Sequence, residues 1–523
     1  MTVSKIAMKK YQYIVVGGCI GMASLLSGCE KFLDKPLENQ QRSEEIDYTD
    51  LSLMYAPVSG VYRAASDDNL VHWIDLSIRC VREDDYERGA PSPNDNPELM
   101  AIKHFQRDVT IQSYWGLNQS WISYYSLAIA ANSALTELGH FAEAIPSGNT
   151  ADAALNRQYQ AEVRFLRAYA HLMASRLFGD VPILSDSDDI ARLTTIEKST
   201  VAEVRQFIID EMDACAADLE DARPNQSIHV GAVTKYSALL LKAKAAADLA
   251  GNDSASPYWD VVLDATNQII ESNKFSLYPD FYQLFKLPGK LSDESLFELQ
   301  YSDFGLPAGD IVRPGIDWGT FFRWQGPAGD QRGSAISGAG WVPPSQDIVD
   351  FLTNRGDDTR LKTTILYCGE DGDPDTYVET PSGDRVYGNP FGTKYFNGKT
   401  YLPVSQMTEG RLEYGANNNV RILRYADVLL LNAEAKVRKG QNGDEPFRLI
   451  RERADMEPIT GVTLDQILDE RRAEFACEWW GERFNDLVRT GRAQQVFGSE
   501  FVPGQSEYVP IPQTQIDANT NFR

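Results

Sequence analysis

Tryptophan side chains with hydrogen-bonding neighbours are the most chemically suggestive feature of the sequence. Trp318, Trp324 and Trp341 fall within residues 301–415, a segment dense in glycine and proline that has no helical periodicity, and Arg323 precedes one of them. Flat indole faces pack against the CH-lined faces of pyranose rings, whereas guanidinium, amide and carboxylate groups hydrogen-bond to sugar hydroxyls. Because disordered segments are poor in aromatic residues, the segment is predicted to be an ordered loop region that carries a glycan-binding site.

An earlier part of the chain can contribute to the same surface. Trp73 is followed by Asp75 and by a charged run at 82–88 that contains Tyr86. The predicted ligand-binding set is therefore Trp73, Tyr86, Trp318, Arg323, Trp324 and Trp341. Two alternatives stay open: the indoles pack the loop onto its scaffold, or the surface binds a peptide or another nutrient.

Signatures of catalysis are mostly missing. The chain has five histidines, and it contains no His-Glu-x-x-His pair, no Gly-x-Ser-x-Gly turn and no Cys-x-x-Cys motif. Residues 392–400 resemble a phosphate-binding loop but carry one residue too many between the glycines. The Asn397-Gly398 pair between two short apolar runs instead predicts a type I′ β-hairpin turn.

Acidic residues raise two further possibilities. A glycoside hydrolase needs two carboxylates beside the scissile bond, and nothing distinguishes a pair among the aspartates of the loop region, Asp310, Asp317 and Asp330. Asp371, Asp373 and Asp375 alternate as in a calcium loop, but the glycine and the final acid of that motif are absent. We predict no enzymatic activity and no cofactor, with a structural calcium ion and a secreted glycoside hydrolase kept as alternatives.

The N-terminal region has the layout of a secretory signal. Lys9 and Lys10 precede an apolar run at 13–26, and the sequence then reads Leu-Ser-Gly before Cys29. This order resembles a bacterial lipobox, so residues 1–28 are predicted to be a lipoprotein signal peptide and Cys29 the site of lipid attachment. The polar residues 29–50 are predicted to form a lipid-anchored tether, and the alternative is a secreted protein with an incidental cysteine.

Charge and cysteine content exclude other classes of protein. The formal net charge of −25 argues against nucleic-acid binding, which depends on neutralisation of phosphates by Lys and Arg. Beyond Cys29, four cysteines remain in a long chain, too few for a disulfide scaffold, so most are predicted to be buried free thiols.

Apolar periodicity predicts a mostly helical chain. Helices are expected at 121–138, from 161 to a stop at Gly179, at 233–250, at 258–272, from 422 to about 438, and from 464 to about 489. Alanines recur on the apolar faces of these segments, and small residues let the axes of paired helices approach closely. The sequence therefore predicts a tetratricopeptide-like scaffold of helical hairpins with a few short strands. Its parts would be residues 51–300 and 416–523, interrupted by the loop-rich, aromatic-rich insertion at 301–415.

Several of these stretches together resemble the SusD/RagB family of outer-membrane nutrient-binding lipoproteins. The segments that carry the resemblance are CEKFLDKPL, WISYYSLAIAAN, AEVRFLRAYAHLMASRLFGDVPIL, ILRYADVLLLNAEA, ERRAEFACEWWGERFNDLVRTGR and YVPIPQTQID. They occur in the family's order and cover nearly all of the chain after Cys29. The arginines of these motifs lie beside acids on helices and are predicted to form structural ion pairs.

The resemblance implies a function as well as a fold. It implies a cell-surface lipoprotein without enzymatic activity, anchored in the outer membrane and facing the cell exterior, that takes part in polysaccharide utilisation. It also implies a partner, a SusC-like TonB-dependent transporter, over which the lipoprotein would act as a hinged lid. The family's ligand-contacting aromatic residues vary, so the predicted site rests on the loop argument alone.

Overall fold

Helices dominate the computed structural model, which describes residues 46–66, 70–92, 94–301, 320–335, 337–370, 375–407 and 418–523. Cys29 and Trp318 lie outside these residues. Residues 46–50 contain a turn in which the Asp47 carboxylate accepts hydrogen bonds from the backbone and hydroxyl of Thr49. Residues 51–523 form one separate unit.

The first helical part of this unit runs to residue 300. Its helices are α1 (Ala56–Ala64), α2 (Trp73–Cys80), α3 (Pro97–Lys103), α4 (Val109–Gln112), α5 (Trp115–Ala144), α6 (Thr150–Phe178), α7 (Asp188–Ala191), α8 (Val201–Ala216), α9 (Lys235–Ala250), α10 (Tyr258–Glu271) and α11 (Phe281–Leu284).

The insertion and the C-terminal part add nine helices within the described residues. These are α12 (Thr320–Gln325), α13 (Gln346–Arg355), α14 (Asp358–Thr364), α15 (Tyr425–Arg438), α16 (Asp444–Arg453), α17 (Leu464–Phe475), α18 (Glu482–Arg489), α19 (Ala493–Phe497) and α20 (Gln513–Ala518). The insertion is therefore partly helical, since α13 and α14 lie in it.

The described strands pair in three antiparallel two-stranded sheets. They are β1 (Ser295–Leu299), β2 (Ile365–Tyr367), β3 (Tyr377–Glu379), β4 (Arg385–Tyr387), β5 (Tyr395–Asn397) and β6 (Val420–Arg424). Strand β1 pairs with β6, β2 with β5, and β3 with β4. The β1–β6 sheet joins the end of the first helical part to the start of the C-terminal part.

Successive helices pack on one another as the hairpin prediction requires. Helix α5 packs on α6, α6 on α8, α8 on α9, α9 on α10, and α10 on α15. The alanines on the predicted contact faces are buried, namely Ala168, Ala243, Ala247, Ala426, Ala433 and Ala435. Small side chains at these positions allow the close approach that a tetratricopeptide-like scaffold needs, so this fold prediction is confirmed.

Local capping residues explain several helix boundaries. A reciprocal capping box of Thr200 and Glu203 begins α8, and Thr463 with Gln466 begins α17. Helix α6 ends at the predicted Gly179, whose φ of 82° suits glycine. Across the part of the chain that the structure describes, no helix combines the length and apolarity that crossing a membrane requires.

Helices α5 and α6 start earlier than predicted, at Trp115 and Thr150, and two predicted helices of the C-terminal part are wrong in extent. Residues 422–424 belong to strand β6 because they pair with β1, and α15 starts only at Tyr425. The helix predicted from 464 to about 489 is broken after Phe475, where Cys477, Trp479 and Gly481 have positive φ values of 61°, 48° and 73°. The broken segment buries both Trp479 and Trp480, which a continuous amphipathic helix would place on different faces.

The predicted hairpin at Asn397-Gly398 is also wrong in its pairing. Residues 398–400 do form a turn, but the preceding strand β5 pairs with the distant strand β2. The Asn397 amide donates to Gln325 and to the Cys477 carbonyl, both at 2.8 Å. These buried hydrogen bonds tie the turn to other parts of the unit and outweigh the local hairpin preference.

A buried network of charges connects the C-terminal helices with the insertion and β1. Arg424 lies 3.0 Å from Glu474, 2.6 Å from Glu478 and 2.5 Å from Glu294. Arg360 contacts the other oxygen of Glu474 at 3.1 Å, and these side chains are at most 4% exposed. Burying these charged side chains without partners would cost much free energy of folding. The network therefore constrains how the C-terminal helices, the insertion and β1 pack together.

The arginines of the family motifs form structural ion pairs as predicted, although several partners are not the predicted helix neighbours. Arg164 and Arg167 both pair with Glu211. Arg472 and Arg483 pair with Asp84, and Arg472 also contacts Asp85, whereas Arg471 pairs with Asp427 and Asp486. The cysteines at positions 80, 215, 368 and 477 are free thiols, and all but Cys368 are fully buried, as predicted.

Candidate functional site

Four indole rings meet at one place in the structure. The ring centroid of Trp73 lies 4.8 Å from that of Trp324 in a stacked arrangement, 4.6 Å from Trp341 edge to face, and 5.8 Å from Trp115. Trp324 and Trp341 are themselves 5.4 Å apart at an angle of 89°. We call these four residues the tryptophan cluster. It brings together three of the predicted ligand-binding residues from separate parts of the chain.

The helix starts of α2 and α5 position two members of the cluster. His72 caps α2 by accepting a hydrogen bond from the Ile74 backbone, which places Trp73 in the first turn. Trp115 is the first residue of α5, and Gly116 follows it. A Cβ at Gly116 would lie 2.8 Å from the Ile74 side chain, so glycine allows the two helix starts to approach each other.

Backbone hydrogen bonds within the insertion position the other two members. The Trp341 amide donates to the Trp324 carbonyl at 2.6 Å, and the Gly340 amide donates to Gly326 at 3.0 Å. A Cβ at Gly338 would lie 2.5 Å from Gly326 Cα, so this close pairing depends on a residue without a side chain. These bonds hold the segment at 338–341, which we call the returning segment, against α12.

The same returning segment is tied to the region of α2. The Val342 amide donates to the Gly89 carbonyl at 3.2 Å, and the Ser345 amide donates to Asp85 at 2.8 Å. The Ser345 hydroxyl donates to the Asp84 carbonyl at 2.7 Å. These bonds join the insertion to the first helical part beside the tryptophan cluster.

The four rings of the cluster differ in their exposure to solvent. Trp115 is 51% exposed, Trp73 and Trp324 are partly buried, and Trp341 is only 8% exposed. The Trp324 Nε1 is buried and donates no hydrogen bond to any described residue. Trp341 therefore supports the other rings, whereas Trp115 presents an aromatic face to solvent.

Arg323 adds a positive charge at the edge of the cluster. Its guanidinium lies 5.7 Å from the centroid of the Trp324 ring, within the range of a cation–π interaction. The side chain is partly exposed. The structure therefore places Arg323 beside the tryptophan cluster, as the sequence predicted.

Tyr86 does not belong to this surface. The ring is completely buried, and its backbone pairs with Pro344 in an isolated bridge. Burial raises the pKa of its hydroxyl far above the ordinary value. A ligand has no access to Tyr86, so its predicted binding role is wrong; the apolar tyrosine ring packs the core where the insertion joins the first helical part.

The acids near Trp73 and Tyr86 are structural as well. Asp75 is fully buried between Arg79, at 2.7 Å, and the Tyr124 hydroxyl, at 2.5 Å. Asp85 forms an ion pair with Arg472 of α17, and Asp84 forms one with Arg483 of α18. These carboxylates hold helices together and do not line the tryptophan cluster.

The aspartates of the predicted calcium loop are only partly within the described residues. Asp371 and Asp373 lie outside them, and Asp375 is an exposed residue 3.6 Å from Arg332. Among the residues that the structure does describe, no group of three or more His, Cys, Asp or Glu side chains is arranged to hold a metal ion.

Trp115 belongs to the cluster although its position in the sequence did not predict it. It lies before the helix predicted at 121–138 and far from the insertion in the sequence, so no loop composition marked it. The available signal was the Trp-Gly pair at a helix start, where a glycine permits close approach of another element. Only the packing of α5 against α2 shows that this ring joins the others.

Comparisons with known proteins agree with the fold. Residues 31–240 match a family model described as starch-binding associating with outer membrane, and residues 344–509 match the model of the SusD family. A SusD-like protein of Bacteroides ovatus is 24% identical over 87% of this chain and 79% of its own length. SusD-like protein P38 of Formosa agariphila is 25% identical over 94% of both chains.

Solved structures resemble the chain over most of its length. Surface glycan-binding protein A from Bacteroides thetaiotaomicron has a TM-score of 0.71 and 24% identity, with 91% of this chain and 99% of that chain covered. A protein of the same name and organism, in complex with laminarihexaose, gives a TM-score of 0.67 at 23% identity, with 90% of this chain and 98% of that chain covered. The corresponding protein from Bacteroides fluxus gives 0.69 at 22% identity, covering 89% and 96%. At these identities the likeness establishes a shared fold.

Proposed function

Since this chain belongs to the SusD/RagB family, we propose that it captures an oligosaccharide at the tryptophan cluster and breaks no bond in it. The observation that carries the proposal is the meeting of four indole rings, one of them 51% exposed, where the insertion joins the first helical part. The names of several proteins of the same fold support it, because they describe surface glycan binding.

Capture would use three kinds of contact. The exposed face of Trp115 stacks on a pyranose ring, and the edges of Trp73 and Trp324 extend this apolar surface. The Arg323 guanidinium at the edge of the cluster adds a charged group that can hydrogen-bond to a sugar hydroxyl.

A calorimetric screen tests this proposal. We expect saturable binding of at least one neutral oligosaccharide from a panel that includes laminarihexaose, a xylogluco-oligosaccharide and maltohexaose, with unchanged sugar recovered afterwards. A mixture of short peptides serves as the comparison, since a peptide or another nutrient is the main alternative ligand. If only the peptides bind, the ligand is a peptide and the glycan proposal is wrong. Release of shorter sugars would indicate a glycoside hydrolase.

We further propose that the protein is tethered to the outer membrane by a lipid on Cys29 and faces the cell exterior. There it would deliver its oligosaccharide to a SusC-like TonB-dependent transporter. The supports are the lipobox-like sequence before Cys29 and the matched family model, whose description names association with the outer membrane. A lipid anchor suffices for membrane attachment without a spanning helix.

Replacement of Cys29 by alanine is expected to move the protein from the membrane fraction to the soluble fraction, because the thiol is the proposed acceptor of the lipid. The measurement is immunoblotting of cell fractions. Cys19→Ala is the matched control, since Cys19 lies in the predicted signal peptide and should leave anchoring intact. A Cys29→Ala protein that stays in the membrane fraction of cells lacking the transporter would refute the lipid anchor.

A further inference from the structure

A small cavity lies between the end of α2, the end of α6 and the start of α18. It has a volume of about 10 Å³, enough for one water molecule or one ion of similar size. No member of the tryptophan cluster lines it. Its polar lining comes from Arg79, Arg82, Arg176 and Asn485, and its aromatic walls come from Trp480 and Phe484.

Two of the three arginines on this lining are neutralised by carboxylates. Arg79 pairs with Asp75 at 2.7 Å. Arg176 pairs with Asp248 at 2.9 Å and with Glu482 at 3.0 Å. Asp248 and Glu482 each contact a further buried cation as well. These acids are therefore fully used by other partners and leave no charge for the third arginine.

The third arginine, Arg82, is buried without a carboxylate partner. It is 4% exposed, and its Nη2 donates to the backbone carbonyls of Ser506 and Glu507. The Glu507 carboxylate instead accepts the Gly504 amide at 2.7 Å. Burial lowers the pKa of the Arg82 guanidinium to about 9. At neutral pH Arg82 is still charged, and no carboxylate within the described part of the chain forms an ion pair with it.

Arg82 also has donors that the rest of the protein does not use. Its Nε and Nη1 donate to none of the described residues, and neither is among the fully enclosed polar atoms that lack a partner. The guanidinium lies 4.1 Å from the centroid of the Phe484 ring on the same lining. Stacking occupies a face of the planar guanidinium and leaves the N–H groups at its edge available.

Asn485 provides a second donor on the lining. Its side-chain amide hydrogen-bonds to none of the residues that the structure describes, although the residue is partly buried. Partly or fully buried polar groups without a protein partner usually hold a water molecule or an ion. The amide of Asn485 and the edge of Arg82 therefore offer N–H donors to one occupant of the cavity.

We propose that this cavity binds one small monovalent anion of the halide class, held by Arg82 and Asn485. The anion accepts from the N–H donors and supplies the counter-charge that Arg82 lacks. A water molecule would accept the same hydrogen bonds but would leave the buried charge uncompensated. A phosphate or a carboxylate is too large for the cavity, and the arginines repel a metal cation.

Anomalous diffraction with bromide tests for the anion. Bromide has the charge of chloride and nearly its size, and its anomalous scattering distinguishes it from water. Crystals of the full chain grown with sodium bromide should show an anomalous peak in the cavity, within hydrogen-bonding distance of Arg82. Bromide peaks on the exposed surface of the same crystals show that the ion has entered the lattice.

Substitutions identify the groups that hold the ion. Arg82→Met should abolish the cavity peak, because it removes both the charge and the edge donors. Arg107→Met is the matched control and should keep the peak, since Arg107 also donates to carbonyls of the 505–508 segment but lies outside the cavity. Asn485→Leu removes the other donor and should lower the peak height; it serves if Arg82→Met fails to fold.

Either of two results would overturn the anion site. One is a wild-type crystal that holds bromide on its surface but only an ordered water molecule, or nothing, in the cavity. The other is a cavity peak of undiminished height in Arg82→Met, or in Asn485→Leu if Arg82→Met does not fold. Neither result bears on the tryptophan cluster, because none of its members lines this cavity.

Discussion

Replacement of Trp73 by alanine is expected to weaken oligosaccharide binding at least about thirtyfold, or about 2 kcal/mol, the largest effect of a single change in the tryptophan cluster. Trp73 contacts Trp115, Trp324 and Trp341, so its loss removes stacking surface and also releases the rings that it holds. Calorimetry of the purified variant with the oligosaccharide that binds the wild-type protein measures the change.

Three control variants separate binding from folding. Trp115→Ala should weaken binding less than Trp73→Ala, since Trp115 contributes a face but supports fewer neighbours. Trp73→Phe should restore part of the affinity because it keeps an aromatic ring. Phe391→Ala, a change at a 41% exposed ring outside the cluster, should leave the affinity unchanged. If Trp73→Ala keeps its melting temperature and binds the glycan like the wild type, the tryptophan cluster is not the binding site.

Glu474→Gln is expected to lower the free energy of unfolding by about 3–5 kcal/mol at pH 7, because it removes a buried negative charge that three buried arginines share. Glu474 is completely buried and contacts Arg360, Arg424 and Arg453. These arginines hold the pKa of its carboxyl far below the ordinary value. Urea denaturation followed by circular dichroism measures the loss.

The pH dependence of this loss follows from the lowered pKa. A carboxyl with a depressed pKa in the folded state stabilises the protein fully above its unfolded pKa, about 4.3, and loses that contribution as the pH falls toward the folded pKa. The difference in stability between wild type and Glu474→Gln should therefore be constant from pH 8 to about 5. It should shrink below pH 4.

An exposed charge cluster provides the matched control. Arg448 pairs with Glu445 and Glu452 on the surface of α16, where water screens the charges. Arg448→Met should change the free energy of unfolding by at most about 1 kcal/mol. Equal losses for Glu474→Gln and Arg448→Met would show that the buried network does not stabilise the fold.

The helical scaffold follows largely from local sequence. Apolar periodicity, the Gly179 stop and the buried alanines all act within one or two turns of a helix, so they can be recognised without knowledge of the rest of the chain. The secondary-structure predictions failed where contacts with residues distant in the sequence outweigh local preferences. Residues 422–424 form a strand because β1 supplies its hydrogen bonds, and Asn397 is held by Gln325 and Cys477 rather than by a hairpin.

The candidate binding site was also predictable from the sequence only in part. Composition alone indicated an aromatic binding region and placed Trp324, Trp341 and Arg323 in it, and Trp73 was proposed from its neighbours. Nothing local distinguishes the buried Tyr86 from the exposed Trp115, because burial depends on what packs above each ring.

The sequence by itself determined the helix-forming segments, the acidic charge that argues against nucleic-acid binding, the lipobox-like start and the presence of aromatic residues suited to sugars. Only the tertiary structure decided which indoles meet and which acids pair with arginines. The physical reason is distance along the chain. Helix periodicity and capping act over a few residues, whereas the contacts of Trp73 with Trp324, and of Arg453 with Glu294, join residues that only folding brings together.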